Sequence, residues 1–392
     1  MKQKKIIFYT FAIILLAGCL NTTNEKTDYE KAVLTLNSVY NHYSIEGSFL
    51  LRENFPHNEK YTAGYLTDEE QSEKKKPYAY LWPYSGSLSA ITALYEATKD
   101  TKHLDVLENK VLPGLEEYFD TIRFPNAYAS YIYTTPLADR FYDDNVWIGL
   151  DFIDLYILTG NEKYINKAKT IWSFIESGTD TVLGGGIYWC EQKKTSKNTC
   201  SNAPGAVYAI KLFQVTGDIT YLNQAIKLYE WTKKYLQDEN DFLYFDNINL
   251  KGRINEVKYA YNSGQMMQAS ALLYKTTRQE KYLQEAQHIA HACYDYFFHD
   301  FHTATGETLR LLDKNDIWFT AIMLRGFIEL YNIDHNEEYI NAFQKNLDYA
   351  WTHMRDENGL FNSDWSGKEK DDSKWLLTQF AMVEMYARMN KL

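Results

Sequence analysis

The feature that most constrains this chain is a repeat. A Leu-aromatic pair, a polar turn and then Tyr-apolar or its equivalent recurs about every 58 residues, a period that marks stacked supersecondary units. It appears as Leu94-Tyr95 with Asp100 and His103-Leu104, then as Leu155-Tyr156 with Thr159-Gly160-Asn161 and Tyr164-Ile165. Leu212-Phe213 with Thr216-Gly217-Asp218 and Tyr221-Leu222 follows, then Leu273-Tyr274 with Tyr282-Leu283, and Leu330-Tyr331 with Tyr339-Ile340. Met385-Tyr386 opens a last, truncated copy. Each unit holds two segments of helical periodicity. The first is apolar on nearly every face, as in Val146 to Leu158, and the second carries one apolar stripe among Lys and Glu, as in Lys163 to Glu176. A helix apolar all round is buried, and one with a stripe lies outside it. The segment Asp28 to Tyr43 supplies the outer helix that the truncated copy lacks. The expectation is six helices inside six, an all-α (α/α)6 barrel, formed by a single domain over residues 28–392. No Pro/Gly/Ser-rich linker divides the 392 residues into smaller units.

Composition removes several function classes. The formal charge of −11 lacks the basic surplus that neutralises phosphates, which excludes nucleic acid as a partner. A mean hydropathy of −0.46 excludes a polytopic membrane protein. Aromatic residues make up 16% of the chain, and its 33 Tyr outnumber Phe and Trp together. Amphipathic rings in such number suit a polar-ligand surface.

Residues 1–19 read as a signal peptide, with Lys2, Lys4 and Lys5 ahead of an apolar run from Ile6 to Leu16 too short to span a bilayer comfortably. Leu16-Ala17-Gly18-Cys19 resembles the bacterial lipobox, which implies lipidation of Cys19, a tether over residues 20–27, and a protein anchored to the cell envelope by lipid alone. An oxidising envelope permits a disulfide between Cys190 and Cys200, whereas Cys293 sits on an apolar helical face as a core thiol. His288 and His291, and likewise His299 and His302, are three apart, but no Cys or carboxylate stands at a matching ligand spacing. They read as surface or packing histidines, and no metal site is assigned.

Loop lengths separate the two ends of the barrel. Turns from inner to outer helix are short, as at Thr159-Gly160-Asn161, while returns such as Ser177 to Asn202, Leu236 to Asn262 and Arg355 to Asp372 are long. Long loops in a compact domain usually carry function. Where they meet inner helices stand Trp82-Pro83-Tyr84, Tyr142-Asp143-Asp144-Asn145, Ser201-Asn202, Tyr261-Asn262, Lys314-Asn315-Asp316 and Asp371-Asp372. About half of these polar residues are expected to serve as helix N-caps. Asp143 and Asp144 are the candidate catalytic pair. With one at the cap and the next in the first turn, they would meet unlike environments, and two carboxylates so placed can divide into an ionised nucleophile and a protonated acid. Six tryptophans (Trp82, Trp147, Trp189, Trp318, Trp365 and Trp375) fall in these loops or in the first turns they lead to. Flat rings beside acids point to a carbohydrate cleft.

Phe141-Tyr142-Asp143-Asp144-Asn145-Val146-Trp147, then Gly184-Gly185-Gly186-Ile187-Tyr188-Trp189, Lys197-Asn198 with Ser201-Asn202, and Tyr259 to Gln265 together resemble the ordered motifs of glycoside hydrolase family 76, the endo-α-1,6-mannanases. The resemblance covers about Tyr29 to Met389. It implies an (α/α)6 barrel that cleaves α-1,6-mannosidic bonds in α-mannan with retention, without a cofactor, Asp143 acting as nucleophile and Asp144 as general acid/base. Carried over in the same way, Trp82, Tyr142, Asn145, Trp189, Asn202, Tyr261, Asn262 and Trp318 are candidate substrate-binding residues. A monomer is expected, and internal versus terminal cutting stays open. The rival readings are a sugar epimerase working through paired histidines, an unsaturated-uronide hydrolase needing basic groups, and a glycan-binding lipoprotein without catalysis.

Overall fold

The computed structural model describes residues 26–58, 77–133, 137–313 and 316–392; Cys19, the signal segment, most of the tether, and Lys314 and Asn315 lie outside them. Among the described residues twelve helices form six hairpins. The inner helices are α2 (Leu81–Thr98), α4 (Tyr142–Thr159), α6 (Thr199–Thr216), α8 (Ala260–Thr277), α10 (Ile317–Asp334) and α12 (Leu376–Met389). The outer ones are α1 (Asp28–Tyr43), α3, α5 (Glu162–Ser177), α7 (Ile219–Leu236), α9 (Glu280–Phe297) and α11 (Glu337–His353). Helix α3 runs from Thr101–Val106 through a π turn at Leu107–Val111 into Leu112–Glu116. Each inner helix packs on the next, and α12 packs back on α2, so the inner ring closes. Helix α1 pairs with α12, as the truncated sixth repeat required.

Burial follows the periodicity. Helix α8 is buried without a break from Ala260 to Leu273, whereas α5 buries Tyr164, Ile165, Ala168, Ile171, Trp172, Phe174 and Ile175, a single stripe at helical spacing. The repeat proves to be a turn. The aromatic residue of each Leu-aromatic pair lends its carbonyl to the N–H of a residue in the left-handed conformation, namely Lys99, Gly160, Gly217, Arg278 or His335. In most copies the following Asp or Asn then caps the outer helix, as Asp100, Asn161, Asp218 and Asn336 do.

At the opposite end the long returns are not plain loops. A three-stranded sheet joins β4 (Ser196–Asn198) to β5 (Phe245–Asn249) and β6 (Ile254–Lys258), and a hairpin pairs β7 (Phe298–His302) with β8 (Thr308–Leu312). Shorter pairings join β2 (Phe119–Asp120) to β3 (Ala127–Tyr128), and β1 (Asn54–Phe55) to β9 (Lys374–Trp375). Helical periodicity has no signal for these strands. Strands β4 and β5 nonetheless build one wall of the cleft.

Candidate active site

Helix α4 starts two residues earlier than a cap at Asp143 would require. Phe141 is the N-cap, extended at φ −99° and ψ 135° with no side-chain cap, so Asp143 and Asp144 both lie in the first turn. Helix N-termini favour anions, and both carboxylates gain from that position. The wider expectation of polar caps at inner-helix starts fails too. Tyr80, Phe141, Asn198, Tyr259 and Trp375 stand at those caps without a side-chain cap bond, and only Asp316 uses its side chain, accepting from Trp318 N.

The fourth residue of several inner helices instead holds the incoming loop. Asn145 accepts from Tyr128 N at 2.8 Å and donates to the carbonyls of Tyr128 and Phe141. Asn202 accepts from Ile187 N at 2.6 Å and donates to the carbonyls of Ile187 and Asn198. Gln379 does the same with Phe361 and Trp375, and Ser263 Oγ accepts from Tyr244 N. Asn145 and Asn202 are fully buried, outside the cleft lining, and their amides are spent on backbone; the expectation that they bind sugar is replaced by a clamping role. Tyr142 also points away, stacked on Phe174 of α5 at 4.6 Å. Asn262 is buried outside the lining as well.

Trp189 reaches Asp143 because the segment that carries it bridges, through Cys190, to Phe141 at the start of α4. Tyr142 N donates to Trp189 O at 2.9 Å and Glu191 N to Arg140 O at 3.0 Å. Arg140, itself buried, secures this junction with two hydrogen bonds to Glu191. On the far side Lys197 Nζ donates to Asp180 Oδ1 and to the carbonyls of Val182 and Gly185, tying down the loop that carries the glycine triplet. Gly186, at φ +82°, lies so close to Trp231 that a Cβ there would stand 2.7 Å from the indole.

The result is a cleft of about 380 Å³. Asp143 and Asp144 lie in it with Trp82, Trp147, Trp189, Tyr261 and Trp318 from the sequence expectation. Trp318 meets Trp82 edge-on at 5.3 Å and Trp147 at 5.1 Å, while Tyr261 stacks on Phe319 at 4.1 Å and 12°. Trp375 backs Trp82 at 5.2 Å, and Trp365 is a core residue with no exposure. Sequence reasoning missed Tyr80, Ser130, Phe319 and the residues of the β4–β5 wall, above all Asn198, Asp246 and Asn247. An Asp-Asn pair inside a long return had no periodic signal to single it out. Asp246 accepts from Asn247 Nδ2 at 2.7 Å and Asn255 Nδ2 at 3.0 Å, and burial raises its pKa.

Asp143 Oδ2 accepts from Trp189 Nε1 at 3.1 Å and Cys200 Sγ at 3.3 Å. Burial pushes Asp143 up to about 6, against the pull of Cys200, Trp189 and the first-turn amides. Cys190 and Cys200 are thiols here, not a disulfide: the Cys200 sulfur is committed to Asp143. Cys293 is the buried core thiol expected of it. Among the described lining residues there is no Lys, Arg or His. His299 and His302 sit on the β7–β8 hairpin against Asp313 and Thr308. The cleft therefore presents carboxylates and rings to a ligand, a surface suited to a neutral polyhydroxylated molecule.

A closed ring of helical hairpins whose functional residues collect at the end bearing the long returns defines the (α/α)6 barrel class. Residues 54–391 match the model of Glycosyl hydrolase family 76, and the chain belongs to that family. Among solved structures, a glycoside hydrolase family 76 mannosidase of Bacteroides thetaiotaomicron VPI-5482 is 34% identical with a TM-score of 0.84, over 93% of this chain and 98% of that one. The alpha-1,6-mannanase of Salegentibacter sp. HEL1_6 is 25% identical with a TM-score of 0.72, over 92% and 98%. Among curated relatives, the mannan endo-1,6-alpha-mannosidase DCW1 of Saccharomyces cerevisiae is 29% identical over 126 residues, 30% of this chain and 28% of its own length. Two Schizosaccharomyces pombe relatives align over 238 and 215 residues, and the chain spans about half their length.

Proposed function

We propose that the protein hydrolyses α-1,6-mannosidic bonds in α-mannan by double displacement. One observation carries this reading: two adjacent carboxylates on the first turn of α4 open into a cleft of aromatic rings, with no cationic side chain among its described lining residues. That lining disfavours the rivals, since a uronide needs a cation and a histidine-based epimerase needs its imidazoles. The linkage and the sugar rest on the named activities of the relatives, a mannosidase, an alpha-1,6-mannanase and a mannan endo-1,6-alpha-mannosidase.

In the first step Asp143 attacks the anomeric carbon as the bond to the 6-oxygen of the neighbouring mannose breaks. The departing electron pair takes a proton from Asp144, because an alkoxide is too basic to leave unaided. In the second step Asp144 removes a proton from water, the water oxygen bonds to the anomeric carbon, and the Asp143 ester is released. Asp143 has to be ionised at the outset, and at neutral pH it lies above its value of about 6.

The test is hydrolysis of linear α-1,6-mannan oligosaccharides by Asp143→Asn and Asp144→Asn, with the anomer of the first product read by NMR. Both variants are expected to lose at least 1,000-fold in kcat, roughly the scale of losing a nucleophile or acid/base group. Near-parental turnover by either one, or an inverted first product, overturns the reading. The time course also separates internal cutting, which yields a ladder, from terminal cutting, which yields one product.

A further inference from the structure

Two hydrogen-bond donors from separate elements converge on a single oxygen of Asp143. The indole of Trp189 comes from the return segment that bridges to Phe141, and the thiol of Cys200 from the second residue of α6; they lie 3.1 and 3.3 Å from Oδ2. Asp143 Oδ1 is buried and has no hydrogen-bond partner among the described residues. The two oxygens of one carboxylate thus have unlike surroundings. Two donors on one oxygen fix the plane in which the carboxylate stands.

We propose that Trp189 and Cys200 clamp Asp143 through Oδ2, with Cys200 a positioning residue that fixes the carboxylate and favours its ionised form. This rests on the reading of Asp143 as nucleophile.

The thiol suits the task. Burial, with Asp143 and Asp246 close by, raises the Cys200 pKa well above its ordinary value, so the group stays protonated and donates. A thiol is also a weak donor. It orients the carboxylate while drawing off less of its basicity than a hydroxyl would. The titratable groups facing Asp143 are Asp144 on its own helix, Cys200 on α6, Asp246 on β5 and Tyr261 on α8. The acidic limb of the rate profile belongs to Asp143, whose ionised form the first step requires.

The experiment compares kcat and KM across pH 4 to 9 on an α-1,6-mannan oligosaccharide for the parent, Cys200→Ala, Cys200→Ser and Trp189→Phe, with melting temperatures alongside. Losing a donor to the charged form raises the proton affinity of Asp143, so the acidic limb of kcat/KM in Cys200→Ala should move up by roughly half to one pH unit. Its kcat should fall about tenfold while KM stays within about twofold, because the thiol is committed to the carboxylate. Cys200→Ser should return the limb to the parental position or slightly below it. Trp189→Phe should move the limb upward as well and raise KM, since its ring lines the cleft.

A purely structural Cys200 would lower the melting temperature and leave the limb in place. An unmoved limb in Cys200→Ala, or a serine variant no nearer to the parent than the alanine variant, overturns the clamp. Should Cys200→Ala not fold, the limbs of Cys200→Ser and Trp189→Phe decide, and a parental limb in Trp189→Phe overturns it. An active Asp143→Asn brings down the nucleophile assignment itself, whereas an inactive Asp143→Asn with an unmoved Cys200→Ala limb brings down the clamp alone.

Discussion

Arg325 on α10 donates twice to Glu384 on α12, Nε to Oε1 at 2.7 Å and Nη2 to Oε2 at 3.0 Å, both side chains being buried between the inner helices. Arg388 adds a third bond, from its Nε to Oε1 at 2.7 Å. Burial alone would raise the Glu384 pKa, but the two arginines overcome it and bring it down to about 2.

Removing one partner leaves a buried charge uncompensated. Glu384→Ala should therefore destabilise the fold by roughly 3–5 kcal/mol, measured as the urea unfolding midpoint. The pH dependence has a definite sign. Because the folded value lies below the ordinary 4.5, this contribution is present above pH 4.5 and is lost as the pH falls towards about 2. A variant that matches the parent at pH 7 would show that the pair adds nothing to stability.

Asp151, two turns below the catalytic pair on α4, has the opposite sign. It accepts from Ser89 Oγ at 2.5 Å and lies 4.0 Å from Arg325, yet burial raises it to about 7. Its share of stability is present below pH 3.8 and is lost as the pH rises through 7. Asp151→Asn should consequently gain on the parent by on the order of 2–4 kcal/mol between pH 4 and pH 8. Urea midpoints at pH 4, 6 and 8 test this, and parallel curves for parent and variant rule it out.

Helices α8 and α10 meet through glycine. A Cβ on Gly264 would lie 2.4 Å from Met323 Cα, and one on Gly326 would lie 2.3 Å from the Gly264 carbonyl oxygen. Both obstacles are backbone, which cannot rotate aside. Gly264→Ala should cost about 3 kcal/mol and should also lower activity, because the same two helices carry the stacked Tyr261 and Phe319. An unchanged unfolding midpoint would contradict so close an approach.

Asp246 should matter to turnover more than to folding, as a cleft carboxylate held by Asn247 and Asn255. Asp246→Asn is expected to reduce kcat/KM about 100-fold with little change in melting temperature. A parental kcat/KM would remove Asp246 from the site.

The anchoring proposed for the N-terminus has its own assay. Cys19→Ala, produced in a bacterial expression host, should abolish incorporation of labelled fatty acid and move the protein out of the membrane fraction, leaving activity on soluble oligosaccharide intact. Membrane recovery equal to the parent would reject lipid attachment at Cys19.

The helical architecture was readable because each repeat unit carries its own local instructions. A Leu-aromatic pair, a left-handed residue and an Asp or Asn specify the same tight turn wherever they occur, as at Tyr95 to Asp100 and Phe213 to Asp218. The aromatic part of the cleft was readable for a related reason, since Trp82, Trp147 and Trp318 fall within the first two turns of apolar helices. Polar positions were harder. Asn145 and Asn202 look like ligand residues in a motif, and only coordinates reveal that backbone groups of a sequentially distant loop consume their amides. The bridge permitted between Cys190 and Cys200 is not formed, for a similar reason: spacing says nothing about which direction a sulfur faces. Asp246 went unnoticed because it lies on a strand that pairs with β4 of an earlier return, a relationship with no one-dimensional trace.

The closure of the ring has a consequence for synthesis. Tyr43 donates to Lys374 O, Lys31 pairs with Asp348, Asn54 stands in register with Trp375, and Trp375 supports Trp82, so the first hundred residues find their neighbours among the last fifty. Contacts so far apart along the chain form slowly. A nascent polypeptide still threaded through the ribosome holds its early helices without their lids, and the wall behind Trp82 comes into being only once the final helix has emerged.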